Sequence, residues 1–425
     1  MLYSAHELGL SLFAPARVAA GVGAQFWRSP LNPLADSWLA RTSAAALDVF
    51  EHATRRYPKP KWNIASTHIN GIDVPITIET AKKDDFCTLL HFKRDPERLS
   101  TAQSGGAPDP KVLIIAPLSG HYATLLRGTV EAMLPEHDVY VTDWANARMV
   151  PVACGRFDLN TFIDYLIDYV RVIGGCHAIA VCQPGPALLA AASVMAEDED
   201  PMRPLSITIM GSPIDTRRSP TAPNVLAQER PFHWFERNMI YTTPSPYPGM
   251  MRRVYPGFVQ LYSFLAMNSD RHATAHYEYF LNLVKDDGDN AEKHRAFYDE
   301  YLSVIDLTEE FYLQTIKDVF QEHSLPDGKF VHNGRLVRPS AITDTALMTV
   351  EGEKDDISGI GQTQAAHDLC VNIPSDMQLD YIQPAVGHYG VFNGSRWRSE
   401  IQPKVRDFIR KHDDVANRDI SIAAQ

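Results

Sequence analysis

Between residues 112 and 211 short, wholly apolar runs alternate with stretches of helical length, and few folds can absorb that pattern. VLIIAP (112–117), VYVTDW (139–144), AIAVC (178–182) and LSITIMG (205–211) are short for helices and lack a polar alternate face, as expected of strands covered on both sides. TLLRGTVEAML, LNTFIDYLIDYVRVIG and PALLAAASVMA separate them as helices. Strands joined in this way imply right-handed crossovers and a parallel sheet, so the fold class is α/β.

The flanks extend this core. WNIASTHINGIDVPITIE alternates with period two around Asn70-Gly71, a hairpin turn, and CTLLHFKR follows, which together predict an antiparallel group at the sheet edge. TAQSGGAPDPK reads as a surface loop. From about residue 218 the rhythm stops, and an aromatic-rich, mostly helical region follows that includes PFHWFERNMIYTTPSPYPGMM, VYPGFVQLYSFLAM and HYEYFLNL. ALMTVEG (346–352) and MQLDYIQP (377–384) restore strands before the amphipathic helix WRSEIQPKVRDFIRKH. The expected division is an N-terminal helical segment 1–60, a first core part 61–217, an inserted helical cap 218–342, a second core part 343–412 and a frayed tail 413–425.

Composition removes several function classes. A chain of 425 residues with 45% hydrophobic and 22% charged residues can bury a large core without staples. A net charge of -12 supplies no basic footprint, so no nucleic-acid partner is expected. The five cysteines are scattered without metal-ligand spacing, which argues against a disulfide framework and against zinc and suits a reducing, cytoplasmic setting. LGLSLFAPARVAAGVGAQFW is interrupted by Pro15 and Arg17 and fits neither a secretion signal nor a transmembrane segment. It is expected to pack onto the domain, with an amphipathic surface helix as the alternative.

The chemistry centres on AIAVCQPGPALLAA. Cys182 stands where an apolar strand ends and a helix must begin, the carboxyl-end position at which parallel sheets collect reactive groups. A sharp strand-turn-helix elbow needs small neighbours, and Ala180 and Gly185 supply them; Pro184 suits the first helical turn. The adjoining helix N-terminus and a histidine partner would both favour thiolate. The amide of Gln183 would face the same space, and a second oxyanion donor is expected from Leu118 or Ser119 in PLSGH. A lone cysteine at a strand end is more commonly a small buried hydrophobe, so the partners decide the matter. ALMTVEGEKDDISG runs a strand into Asp355, preferred over Asp356, Asp376 and Asp380, and YIQPAVGHYGVFNG places His388 in a glycine-flanked loop. Nucleophile, acid and histidine then follow in the order of the α/β-hydrolase fold.

AVCQPGPALLAA, IIAPLSGHYATLLRGTV, VTDWANARMVP, TVEGEKDDISGIGQT and GHYGVFNGSRWRSEIQPKVRDFI resemble the intracellular poly(3-hydroxybutyrate) depolymerase family over residues 60–412. The resemblance implies a Cys182, Asp355, His388 triad, an α/β-hydrolase fold with an inserted helical cap, no metal or organic cofactor, and a storage polyester granule or oligomer as substrate at granules in the cytoplasm. Coenzyme A is an acyl acceptor that a thioester at Cys182 would admit, so a polyester-synthase-type or thiolytic acyltransferase stays open, as does a granule-binding protein without catalysis. A homo-oligomer is compatible with all three. His121, Trp234, Tyr241, Tyr247 and Met250, with neighbours Met251, Tyr255 and Phe258, are candidates for an apolar substrate surface, against the alternative that the cap residues form the cap's own core. Asp143 and Trp144 are expected to hold a loop, and His177 reads as a turn residue.

Overall fold

The computed structural model describes residues 2–103, 108–267 and 298–413. A meander of β1 (Ser66–Ile69), β2 (Ile72–Lys83) and β3 (Cys87–Arg94) leads into β4 (Lys111–Ile115), β5 (Asp138–Trp144), β6 (Cys176–Val181) and β7 (Ser206–Met210). Short strands β8 (Tyr241–Thr242), β9 (Arg253–Tyr255) and β10 (Leu307–Thr308) pair separately, β11 (Val331–His332) and β12 (Arg335–Leu336) form a hairpin, and β13 (Ala346–Gly352) and β14 (Gln378–Gln383) rejoin the main sheet.

The nine-stranded main sheet runs β1-β2-β3-β5-β4-β6-β7-β13-β14. The pairs β1–β2, β2–β3 and β3–β5 are antiparallel, whereas every pair from β5–β4 to β13–β14 is parallel. With β5 exchanged past β4 and helical crossovers between the parallel strands, this is the α/β-hydrolase fold. Asn70 and Gly71, with φ of 49° and 83°, make the first hairpin turn, as the sequence predicts.

The middle of the sheet is dry: every residue of β6, β7 and β13 is buried. The helix Gly185–Glu197 is buried from Gly185 to Met195, which explains why its sequence is apolar all round instead of striped. Losing a fully enclosed side chain such as Leu189 to alanine would cost about 2–5 kcal/mol.

The segment between β7 and β13 departs from an all-helical cap. Its helices include Ala222–Glu229, Phe232–Asn238, Gly257–Met267 and Glu309–Thr315, yet β8, β9 and β10 form a small antiparallel sheet beside them. Strands of two or three residues are too short to produce a readable alternation. The aromatic stretch 276–283 and the tail beyond 413 lie outside the described residues. Of the expected loop at 101–111, residues up to Gln103 belong to the helix Pro96–Gln103.

At the N-terminus, helices Leu2–Leu12, Ala14–Arg28 and Trp38–Thr54 precede the sheet. Ala20 and Ala24 are buried, but Leu8, Val18, Val22 and Phe26 are largely in solvent, so this stretch takes the amphipathic form instead of packing its large side chains inward. Among the described residues no helix is long and apolar enough to cross a membrane. Tyr3 anchors the segment to the cap base by donating a hydrogen bond to Asp306 at 2.5 Å.

Candidate active site

β6 ends at Val181, the helix begins at Gly185, and the chain turns between them at Cys182, whose φ of +65° lies in the left-handed region that non-glycine residues seldom enter. Such strain at the tip of a strand-helix elbow lifts the side chain off the sheet edge. Gly185 is required by packing: a Cβ there would lie 2.5 Å from Ser212 Oγ and 2.8 Å from Ile209 Cγ2. Ser212 completes the brace by donating from Oγ to the Cys182 carbonyl at 2.5 Å.

Asp355 and His388 come from the loops after β13 and β14. The Asp355 side chain is wholly enclosed, accepts the amides of Ile357 and Ser358 on Oδ1 at 2.9 and 2.8 Å, and takes the His388 Nδ1 proton on Oδ2 at 2.8 Å. The two loops are laced together, since Glu353 and Lys354 donate their amides to the carbonyls of Gln383 and Val386 at 3.0 and 2.8 Å. Gly211, at the end of β7 with φ of +55°, lets the pair sit close: a Cβ there would be 3.3 Å from His388 Cε1 and 3.4 Å from Asp355 Oδ2.

Burial alone would drive the His388 imidazole towards neutrality. The negative charges of Cys182 and then Asp355, with the hydrogen bond to Asp355, outweigh burial and hold the ring's pKa well above its ordinary value. With Nδ1 committed to Asp355, Nε2 is the ring nitrogen left for the sulfur. Three thiols are fully buried, whereas Cys182 is only partly so: burial pushes Cys87 up, and Cys176 and Cys370 up to about 12.

The loop after β4 supplies the oxyanion-side groups. Leu118 and Ser119 line the same cavity as Cys182, Gln183 and His388. In this state the Leu118 amide donates to the Gln183 side-chain Oε1 at 3.3 Å, so a carboxamide oxygen stands where an ester oxyanion would have to go.

The cavity encloses about 540 Å³ between the triad and the cap, within the range of small-molecule sites, and its walls are mostly apolar. His121 lines it, buried and hydrogen-bonded to the Tyr301 carbonyl at 3.1 Å, with burial lowering its pKa to about 4. Four other substrate-surface candidates lie elsewhere. Trp234 packs against the core with Arg230 over its ring, and Tyr241 donates to the Asn238 carbonyl. Tyr247 donates to Glu7 at 2.9 Å, and Met250 is about half in solvent. The candidate Tyr255 does line the cavity, and its other aromatic walls include Phe311, Tyr312, Phe235 and Phe392.

Asp356 is exposed, and Asp380 accepts from Thr349 at 2.7 Å, so neither competes for His388. Asp143 pairs with Lys59, and Trp144 donates to the Ala116 carbonyl at 2.8 Å, which braces the β4 loop. His177 is no turn residue: it lies in β6, buried, 2.7 Å from Ser206 Oγ. Among the described residues no group of three or more His, Cys, Asp or Glu side chains is arranged to hold a metal.

Comparison with known proteins gives two sequence matches. Residues 211–413, which include Asp355 and His388 but not Cys182, match the family described as PHB de-polymerase C-terminus. The poly(3-hydroxyalkanoate) polymerase subunit PhaC of Haloferax mediterranei is 22% identical over 346 residues, covering 79% of this chain; the chain thus spans 64% of that relative's length. Solved structures with similar folds include the monoacylglycerol lipase of Paleococcus ferrophilus, at 10% identity and a TM-score of 0.41 over 72% of this chain and 96% of that one. Another is a thermophilic esterase from Thermogutta terrifontis, at 12% identity and a TM-score of 0.39 over 82% and 97%.

Proposed function

We propose that this chain is a carboxylic ester hydrolase that cleaves poly(3-hydroxybutyrate)-type polyesters through a Cys182 acyl-enzyme. The observation that carries the reading is the left-handed elbow at Cys182, which shares one cavity with an imidazole held on Nδ1 by an enclosed carboxylate. The match of residues 211–413 to the depolymerase family directs it towards polyester.

In the first half-reaction the Cys182 thiolate adds to an ester carbonyl, and the oxyanion displaces the Gln183 carboxamide from the Leu118 amide. Collapse breaks the carbon–oxygen ester bond, and protonated His388 gives its Nε2 proton to the departing alkoxide, which leaves as the hydroxyl end of a shortened chain. The neutral imidazole then takes a proton from water as the water oxygen attacks the thioester; the carboxylic acid leaves and thiolate and imidazolium return. Asp355 keeps Nδ1–H in place throughout, so that Nε2 alone exchanges protons.

A transferase reading is favoured by one observation, the match to a polymerase subunit over 79% of the chain. In that case a chain hydroxyl or coenzyme A, not water, would intercept the same thioester. Product analysis with amorphous polyester granules, with and without coenzyme A, separates the two. Soluble hydroxyacids formed without added thiol support hydrolysis, and product that appears only with an acyl acceptor, or chain growth from 3-hydroxybutyryl-coenzyme A, supports transfer. A folded Cys182→Ala protein with parental activity would remove the basis of both.

A further inference from the structure

The helix Gly257–Met267 reads GFVQLYSFLAM, and its polarity is inverted at one point: Gln260 is 8% exposed while Tyr262 is 60% exposed. An inward carboxamide on an apolar helix loses its water and needs partners. Gln260 lines the cavity that contains Cys182 and His388, and its Oε1, shut off from solvent, has no hydrogen-bond partner among the described residues.

Its place is set by both neighbouring elements. The Gly257 amide donates to the enclosed Asp306 Oδ1 at 2.9 Å, which fixes the start of the helix. On the other side the β4 loop is cut to fit: a Cβ on Gly120 would lie 2.5 Å from Gln260 Cδ and Oε1 and 2.7 Å from Nε2. The loop that carries Leu118 and Ser119 therefore bends, at φ of +105°, around this carboxamide.

We propose that Gln260 is a specificity-determining residue that hydrogen-bonds the oxygen on carbon 3 of the bound hydroxyacyl unit, and so separates 3-oxygenated acyl groups from plain alkanoyl groups of the same length. The inference rests on the polyester reading and deepens it. The cavity walls taken together are largely hydrocarbon, so a second substrate oxygen entering them would be stripped of water. The carboxamide can donate from Nε2 to an ester oxygen, or after a half-turn that brings the enclosed oxygen round accept from a free hydroxyl. Two polar groups that would each be stranded then satisfy one another.

The test compares kcat/KM for 4-nitrophenyl 3-hydroxybutyrate and 4-nitrophenyl butyrate in the full chain, in Gln260→Leu and in Gln260→Glu. The parent should prefer the hydroxylated ester. Gln260→Leu should lose about 10- to 100-fold on that ester and stay within about threefold on butyrate, because a site built around a hydrogen bond discriminates far more than one built on shape. Gln260→Glu, which keeps an acceptor, should retain part of the preference for the free hydroxyl. Equal losses on both esters, or a preference that persists in Gln260→Leu, would overturn the proposal. A parent that cleaves both esters equally well overturns it and leaves the polyester reading standing; a parent that cleaves neither sinks the two together.

Discussion

Asp355→Asn tests the triad with the least disturbance to the fold, because the two oxygens of this carboxylate have separate tasks. Oδ1 accepts the amides of Ile357 and Ser358, and an asparagine will keep its carbonyl oxygen there, since turning it over would aim its NH2 at two N–H donors. The NH2 group must then face His388 Nδ1, 2.8 Å from the present Oδ2. A donor at that place makes Nδ1 the acceptor and puts the ring's proton on Nε2, towards Cys182. The neutral ring can then no longer take a proton on Nε2, and the loss of the carboxylate charge also removes one of the interactions that keep the imidazolium protonated. The same tautomer error in a serine triad lowers kcat by about 10⁴; a thiol depends less on its base, so about 10³ is expected here, close to 4 kcal/mol of transition-state stabilisation. The assay is kcat on a soluble 4-nitrophenyl ester, with a denaturation midpoint near the parent's confirming that the loop survives. A variant within tenfold of the parent would refute the reasoning, as would an equal loss in Asp356→Asn.

Three further outcomes follow from particular contacts. Gly185→Ala should destabilise by about 1–3 kcal/mol in urea denaturation, since its Cβ would meet Ser212 and Ile209 at 2.5–2.8 Å in a packed core; a stability equal to or above the parent's would contradict the close approach. Gln183→Ala releases the Leu118 amide from a neutral hydrogen bond worth about 0.5–1.5 kcal/mol that the oxyanion would otherwise have to displace, so kcat for a small ester should rise by about two- to tenfold, and an unchanged or lower kcat would speak against the carboxamide competing for that site. Cys182→Ala removes the neighbour that contributes most to raising the His388 pKa. The pH at which its ring proton resonance titrates in NMR should therefore move down, and a midpoint unchanged or moved up would refute that contribution.

The sequence was most readable where burial is complete. Runs such as AIAVC and ALMTVEG have no polar face because β6 and β13 have no wet face, and the same requirement makes PALLAAASVMA apolar all round. Cys182 stood out because a strand, a tight turn and a helix start meet within four residues. Asp355 and His388 could be chosen because each follows a strand whose end lies at the same sheet edge. The substrate surface was legible only in part. Tyr255 and Tyr247 look alike as letters, but one faces the cavity and the other is tied to Glu7, far away in sequence. His177 misled because CH before AIAV resembles a turn, whereas the strand already begins at Cys176.

What no local pattern could disclose is how the loops bearing the nucleophile and the acid are kept in register. Ser212, just after β7, donates its hydroxyl to the Cys182 carbonyl and its amide to Thr363 Oγ1 at 2.8 Å. The Thr363 amide in turn donates to Glu351 Oε1 at 2.7 Å, and Glu351, 1% exposed, also accepts the amides of Gly361 and Gln364 at 2.8 and 3.1 Å. Glu351 sits in β13, immediately before the loop that carries Asp355. The nucleophile's elbow and the acid's loop are thus joined by an unbroken run of hydrogen bonds, part-buried at Cys182 and buried from Ser212 to Glu351. A buried carboxylate is costly unless amides surround it, and three amides from a single turn do so here. Its retention in a strand buried along its whole length is understandable as a means of fixing the distance between sulfur and carboxylate.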